Sequence, residues 1–170
     1  MKAASARIHK RHARVLDELE TCLALAREPA VLELRSPAVS DWSVAQHLEH
    51  MGLVDRSVLG ILEKPPDEPT SGRGLTPMGR LLLFLGFIPR GRATAPSFVE
   101  PGDPTREDVG PKLTEIRDRF RALGEDLARL DGGVPLGEHP VFGHLDGAQW
   151  LRFASIHHRH HLKIIRDVRR

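Results

Sequence analysis

Apolar positions recur along most of this chain at three- and four-residue intervals, the spacing that gathers side chains on one face of an α-helix. The first run covers residues 5–27, with Ile8, His12, Val15, Leu16, Leu19, Cys22, Leu23 and Ala26 on one stripe. After the break at Pro29 and Pro37, a second run starts behind Ser40 or Asp41 as a cap and continues through Leu48, Met51, Val58 and Leu62 to Glu63. Thr76-Pro77 reads as a cap and first-turn proline opening a short apolar helix that ends near Gly86. Residues 89–104 read as an irregular arm. A further helix occupies residues 105–130, striped by Leu113, Ile116, Phe120, Leu123, Leu127 and Leu130, with Pro111 near its start or kinking it. The last helix begins near Asp146 and runs to the C-terminus, while no alternating run between turn residues argues for a strand. The expected architecture is all-α: four long amphipathic helices in a bundle, with an additional short helix and an irregular arm.

Length and charge narrow this picture. The 170 residues suit one domain spanning 1–170. Lys and Arg total 25 against 23 Asp and Glu, too small a surplus for a phosphate-reading face, so no nucleic-acid partner is expected. The lone Cys22 excludes an intrachain disulfide, and residues 1–12 lack the pattern of a secretory leader, which together imply a cytoplasmic protein. The longest apolar stretch, 81–88, falls far short of the roughly 20 residues that span a bilayer, so no membrane partner is expected.

The candidate chemistry lies in histidines. His157, His158, His160 and His161 crowd the last helix, and at about 100° per residue His157 and His161 project about 40° apart, on the stripe of Trp150, Phe153, Ala154, Ile164, Ile165 and Val168. Two imidazoles on an apolar face need hydrogen-bond partners or a metal, and spacing i, i+4 suits one ion. His158 and His160 fall to either side of that stripe. A third ligand should come from a facing helix, where His47 and His50 lie about 60° apart. Periodicity leaves the choice between them open, with His47 somewhat nearer the apolar centre. His12 lies on the apolar face of the first helix, as a pocket residue, a fourth ligand or a satisfied core histidine. Arg73, Arg80, Arg90 and Arg92 surround the short helix and arm, where they either hold carboxylates of a ligand or form a solvated basic loop. His139 and His144 flank a Pro/Gly turn, reaching a site mouth or capping backbone. Glu49 and Asp55 are not placed by spacing as general bases, and Cys22 reads as a small core residue.

The segment Trp42-Ser43-Val44-Ala45-Gln46-His47-Leu48-Glu49-His50-Met51 resembles the Trp-Ser motif that opens the second helix of the DinB/YfiT-like superfamily, in which the metal histidine follows the tryptophan by eight residues. That position is His50. The segment His157-His158-Arg159-His160-His161-Leu162 is similar to the family's second motif, whose ligands at i, i+4 correspond to His157 and His161. Ile88-Pro89-Arg90-Gly91, Ala95-Pro96 with Pro101, and residues 139–145 followed by Gln149-Trp150 resemble a subgroup of that superfamily. The resemblance runs from about Trp42 to the end of the chain.

This resemblance implies a DinB-like four-helix bundle with a three-histidine site (His50, His157, His161) for one divalent metal ion, zinc or nickel first, with iron, manganese and cobalt as alternatives. His12, His47, His160, Arg90 and Arg92 become pocket or supporting candidates. Relatives include transferases that use bacillithiol or mycothiol, so the leading expectation is a thiol-dependent transferase acting on a small-molecule substrate with a low-molecular-weight thiol as cosubstrate. A metal-dependent hydrolase and a non-catalytic metal- or ligand-binding bundle are the alternatives. Helix pairing between two bundles would make a homodimer unsurprising.

Overall fold

A computed structural model describes residues 4–64, 74–91 and 96–170 of the chain. The long helices are α1 (Ala6–Ala26), α3 (Val44–Glu63), α5 (Arg106–Leu123) and α7 (Gly147–Val168); the shorter ones are α2 (Pro29–Leu32), α4 (Pro77–Leu85) and α6 (Leu127–Leu130). Side-chain caps fix where the functional helices start. Ser43, rather than the expected Ser40 or Asp41, caps α3: its hydroxyl accepts from Gln46 N at 3.2 Å while Gln46 Oε1 accepts from Ser43 N at 3.0 Å. Asp146 and Gln149 build the same reciprocal cap at α7, with bonds of 2.7 and 2.9 Å. Thr76 caps α4, Pro77 occupies its first turn, and Gly86 ends it in the left-handed conformation at φ 71°.

Helices α1 and α3 both pack against α5 and α7, so α1 lies diagonally across from α3. One apolar cluster joins Ile8, Val15 and Leu19 of α1 to Val58 and Leu62 of α3, Phe120 of α5 and Leu151 of α7. The other joins Cys22 and Leu23 of α1 to Leu48 and Met51 of α3, Leu113 of α5 and Ile165 of α7. Thus the N-terminal halves of α1 and α7 share a core with the C-terminal halves of α3 and α5, and the order is up, down, down, up. Between these clusters, at mid-height, lies a layer of buried polar groups: Glu18, His50, Asp55, His157, His158 and His161.

Two sequence expectations are corrected. The helix expected over 105–130 breaks at Gly124, where a 3-10 turn (Gly124–Asp126) separates α5 from α6 and the ring of His12 abuts the glycine; Pro111 lies inside α5. A β-hairpin, β1 (Pro135–His139) and β2 (Gly143–Asp146), stands where no strand was expected. Its strands are short, and Pro135, Gly137 and a register shift between them erase any alternation in β1. The hairpin is held from outside: Thr76 N donates to Phe142 O at 3.0 Å and His144 N to Gly74 O at 3.0 Å, which ties it to the start of α4. That close approach demands glycine at 143, where φ is 81° and a Cβ would lie 2.6 Å from Gly74 O. Among the described residues, no helix is long and apolar enough to cross a membrane.

Candidate metal centre

The Ser43 cap sets the phase of α3 so that His50 faces α7. There His50, His157 and His161, all buried, each bring a ring nitrogen within 4.8 Å of the others. His50 Nε2 lies 3.1 Å from His157 Nε2. His50 Nδ1 donates to the carbonyl of Val99 at 2.7 Å, which leaves Nε2 as the lone-pair nitrogen directed into the cluster. Val99 is brought there by the arm: Gln46 Nε2 donates to Gly102 O at 2.9 Å, Gly102 N donates to Glu49 Oε2 at 3.0 Å, and Lys112 pairs with Glu49 at 3.1 Å. Glu49 therefore positions the arm and its carboxylate is engaged.

His47 lies outside this three-histidine group. Its Nδ1 lies 3.0 Å from His161 Nδ1 and its Nε2 3.0 Å from Ser40 Oγ, so a Ser40–His47–His161 chain orients the His161 ring from behind. With the shared proton on His161 Nδ1, that ring keeps Nε2 as its lone pair. Trp42, just before the Ser43 cap, lays its indole against the group, with centroids 5.0 Å from His50 and 6.4 Å from His161.

Burial lowers the pKa of His50 and takes His47 down to about 4. Burial first, and then neighbouring imidazoles, pushes His157 and His161 well below the ordinary value. The rings are therefore neutral at pH 7, the state a metal requires of its histidine ligands. His157 adds a further sign: its Nδ1 is buried without a hydrogen-bond partner among the described residues. This donor set fits one divalent cation.

The sequence model of the DinB superfamily matches residues 8–165. The chain belongs to the DinB superfamily. It is also similar to YuaE, an uncharacterized protein of Bacillus subtilis strain 168, at 25% identity over 138 residues that cover 79% of this chain and 82% of that protein. No solved structure matches it.

Other candidates from this DinB sequence sort by distance from the cluster. His160 stands at its edge, with its ring 5.0 Å from that of His161 and Nδ1 donating to Ile88 O at 3.0 Å. Arg90 repels positive charge on both His47 and His160 and pairs with Asp167 at 2.7 Å. Arg73 and Arg92 lie outside the described residues. His12 is not brought to the cluster: its Nε2 donates to Phe120 O at 2.6 Å and ties α1 to α5, the satisfied core histidine of the two readings. His139 caps the hairpin turn, its Nδ1 accepting from Val141 N at 3.1 Å. Cys22 is fully buried, which pushes its thiol pKa up and leaves it a core residue.

His158 is the larger departure. Instead of flanking the stripe it is fully buried, with Nε2 2.8 and 2.9 Å from the two oxygens of Asp55 and Nδ1 3.5 Å from Glu18. Burial opposes its charge, but Asp55 and then Glu18 outweigh it and its pKa is pushed up to about 9. Adjacent histidines thus serve opposite ends: His157 is held neutral beside imidazoles, and His158 is held charged between carboxylates.

Proposed function

We propose that this DinB protein is a metal-dependent enzyme of thiol-dependent transfer, of the bacillithiol or mycothiol type, with His50, His157 and His161 as the ligands of one divalent ion. The observation that carries this reading is the convergence of three buried, neutral imidazoles, one of them locked through Nδ1 to the Val99 carbonyl. When bound, the ion supplies Lewis acidity that lowers the pKa of a coordinated thiol by several units; imidazole suits zinc and nickel alike. The chain's own residues orient and enclose. Ser40 and His47 hold the His161 ring, Val99 holds His50, Trp42 gives an apolar wall, and Arg90 at the rim offers a guanidinium for a cosubstrate carboxylate.

The hydrolase reading is disfavoured because Glu49 and Asp55 of α3 are engaged, Glu49 by Lys112 and Asp55 by His158, so neither is free to take a proton from water. Metal binding without turnover is the second reading, and the same two engaged carboxylates favour it. Elemental analysis decides the first step: about one ion per chain, lost in His50→Ala, His157→Ala and His161→Ala and retained in His160→Gln. His47→Ala should keep the ion with affinity weakened about 10- to 100-fold. Unchanged content in all three ligand variants would refute the site. For the chemistry, a thiolate-to-cobalt absorption band in the cobalt-loaded protein on adding bacillithiol or mycothiol supports transfer, and silence with every thiol leaves a binding bundle.

A further inference from the structure

Across α7 from the histidines lies a groove of about 270 Å³ that no part of the proposed reaction uses. Arg7, Lys10, Arg11 and Arg14 line it from α1, at helical spacing on one face, and Arg152 and Arg159 line it from α7 with Ser155 between them. The six cations are poorly neutralised. Arg7 reaches Asp131 only at 4.0 Å and Arg159 reaches Glu18 only at 3.5 Å, and Glu18 is shared with Ser155 and His158. Lys10, Arg11, Arg14 and Arg152 have no ion pair among the described residues. On α5, by contrast, Arg117, Arg119 and Arg121 pair with carboxylates at 2.8, 2.7 and 3.2 Å.

Three of the five guanidinium groups of the groove are nevertheless anchored. Arg11 Nη1 donates to Ala148 O at 2.7 Å, Arg152 Nε to Leu83 O at 2.7 Å and Arg159 Nη2 to Gly86 O at 3.3 Å. A backbone carbonyl fixes a guanidinium without cancelling its charge, and each retains further N–H donors. The arrangement works against stability in two ways. Burial first, and then Arg7 and Arg152, disfavours the charge on Arg11, with Asp146 and Asp131 pulling the other way, and burial followed by Arg159 and Arg14 disfavours that on Arg152. Arg7 and Lys10 also stand in the first turns of α1, at the positive end of the helix dipole. An anion relieves both costs together.

We propose that the groove between α1 and α7 binds phosphate groups with at least two negative charges between them, carried on one soluble ligand or on two neighbouring lipid headgroups. Planar guanidinium forks match phosphate oxygens in pairs, and cations on two facing helices suit two such groups. Either a soluble phosphoester or an anionic lipid headgroup carries this chemistry. The lipid source enters because Arg152 Nη2 also meets the carbonyl of Phe84, 3.4 Å away at the end of α4, where Phe84 and Phe87 are 82% and 52% exposed.

The test titrates the purified full chain with inorganic pyrophosphate by calorimetry and measures its sedimentation with vesicles of phosphatidylglycerol or of phosphatidylcholine. Lys10→Gln with Arg14→Gln should weaken binding at least tenfold, whereas Arg27→Gln with Arg166→Gln, an equal loss of exposed charge elsewhere, should change it less than twofold. Lys10→Gln with Arg14→Gln should melt no lower than wild type, since neither side chain holds a structural contact, while the control pair, whose charges stand at the C-terminal ends of α1 and α7, should melt only slightly lower. Binding of pyrophosphate with that selectivity assigns a soluble phosphoester; selective binding to phosphatidylglycerol vesicles alone assigns the headgroup. Failure of both probes, or equal loss in the two double variants, overturns the proposal. The histidine cluster is untouched by these changes, so metal content serves as an independent check on the other site.

Discussion

Replacing Asp55 by alanine tests the buried charge layer most directly. Asp55 and His158 are both 0% exposed, and their two contacts of 2.8 and 2.9 Å place the imidazolium squarely on the carboxylate. The displacement of the His158 pKa from 6.5 to about 9 corresponds to about 3 kcal/mol in favour of the charged form, at about 1.4 kcal/mol per unit. Breaking a buried pair from one side costs roughly 3–5 kcal/mol, because the surviving partner keeps its desolvation penalty without its compensation. The two routes agree at about 3 kcal/mol, a large share of the roughly 5–15 kcal/mol that a domain of this size holds in reserve. Asp55→Ala should therefore lower the unfolding free energy by about 3 kcal/mol in urea titrations followed by far-ultraviolet circular dichroism at pH 7. His158→Leu should cost a similar amount, since it strands two carboxylates. The double variant Asp55→Leu, His158→Leu should cost at least about 2 kcal/mol less than the sum, because an apolar pair replaces an ionic one without an orphan. Additive losses, or single losses below about 1 kcal/mol, would refute the account of His158 as a charged structural post.

Gly143→Ala forces a side chain into a left-handed position and against Gly74 O, so a loss of at least about 2 kcal/mol in the same titration is expected, with Gly133→Ala, where nothing lies within 4 Å, as a milder control for positive φ. Burial lowers His139 to about 4, below the 6.5 of the unfolded chain, so its contribution is present above pH 6.5 and is lost as pH falls toward 4. With part of the ring reached by water, that loss amounts to about 1–2 kcal/mol. His139→Gln should flatten the pH dependence of stability over this window by that amount, and parallel profiles for variant and wild type would count against it.

The long helices were legible because their apolar stripes keep helical period over many turns and their ends carry caps. The grouping of His50, His157 and His161 into one buried cluster was legible for a related reason: His157 and His161 share a stripe at i, i+4, while the expectation of His50 rather than His47 beside them needed the family resemblance. His158 was misplaced because a stripe assumes one buried face, whereas α7 packs on α1 and on α3 and buries an arc that takes in every residue from Ala154 to His158. The support of the site was illegible for another reason. Val99 acts through its carbonyl, which any residue carries, and Ser40 reaches His47 only after the chain before α3 folds back. The hairpin likewise depends on bonds to residues 74–76, a pairing that no local pattern encodes.

The position of Trp42 gives the molecule an optical property. Only two tryptophans occur in the sequence; Trp150 is packed in the apolar core at 3% exposure, while the partly buried Trp42 rests on the rings of His50 and His161. Emission from one indole follows what enters the histidine cluster, and emission from the other follows the integrity of the bundle. The chain thus carries an internal probe and an internal reference in a single spectrum, separable by Trp42→Phe, and occupancy can be read from the unlabelled protein while unfolding is watched independently.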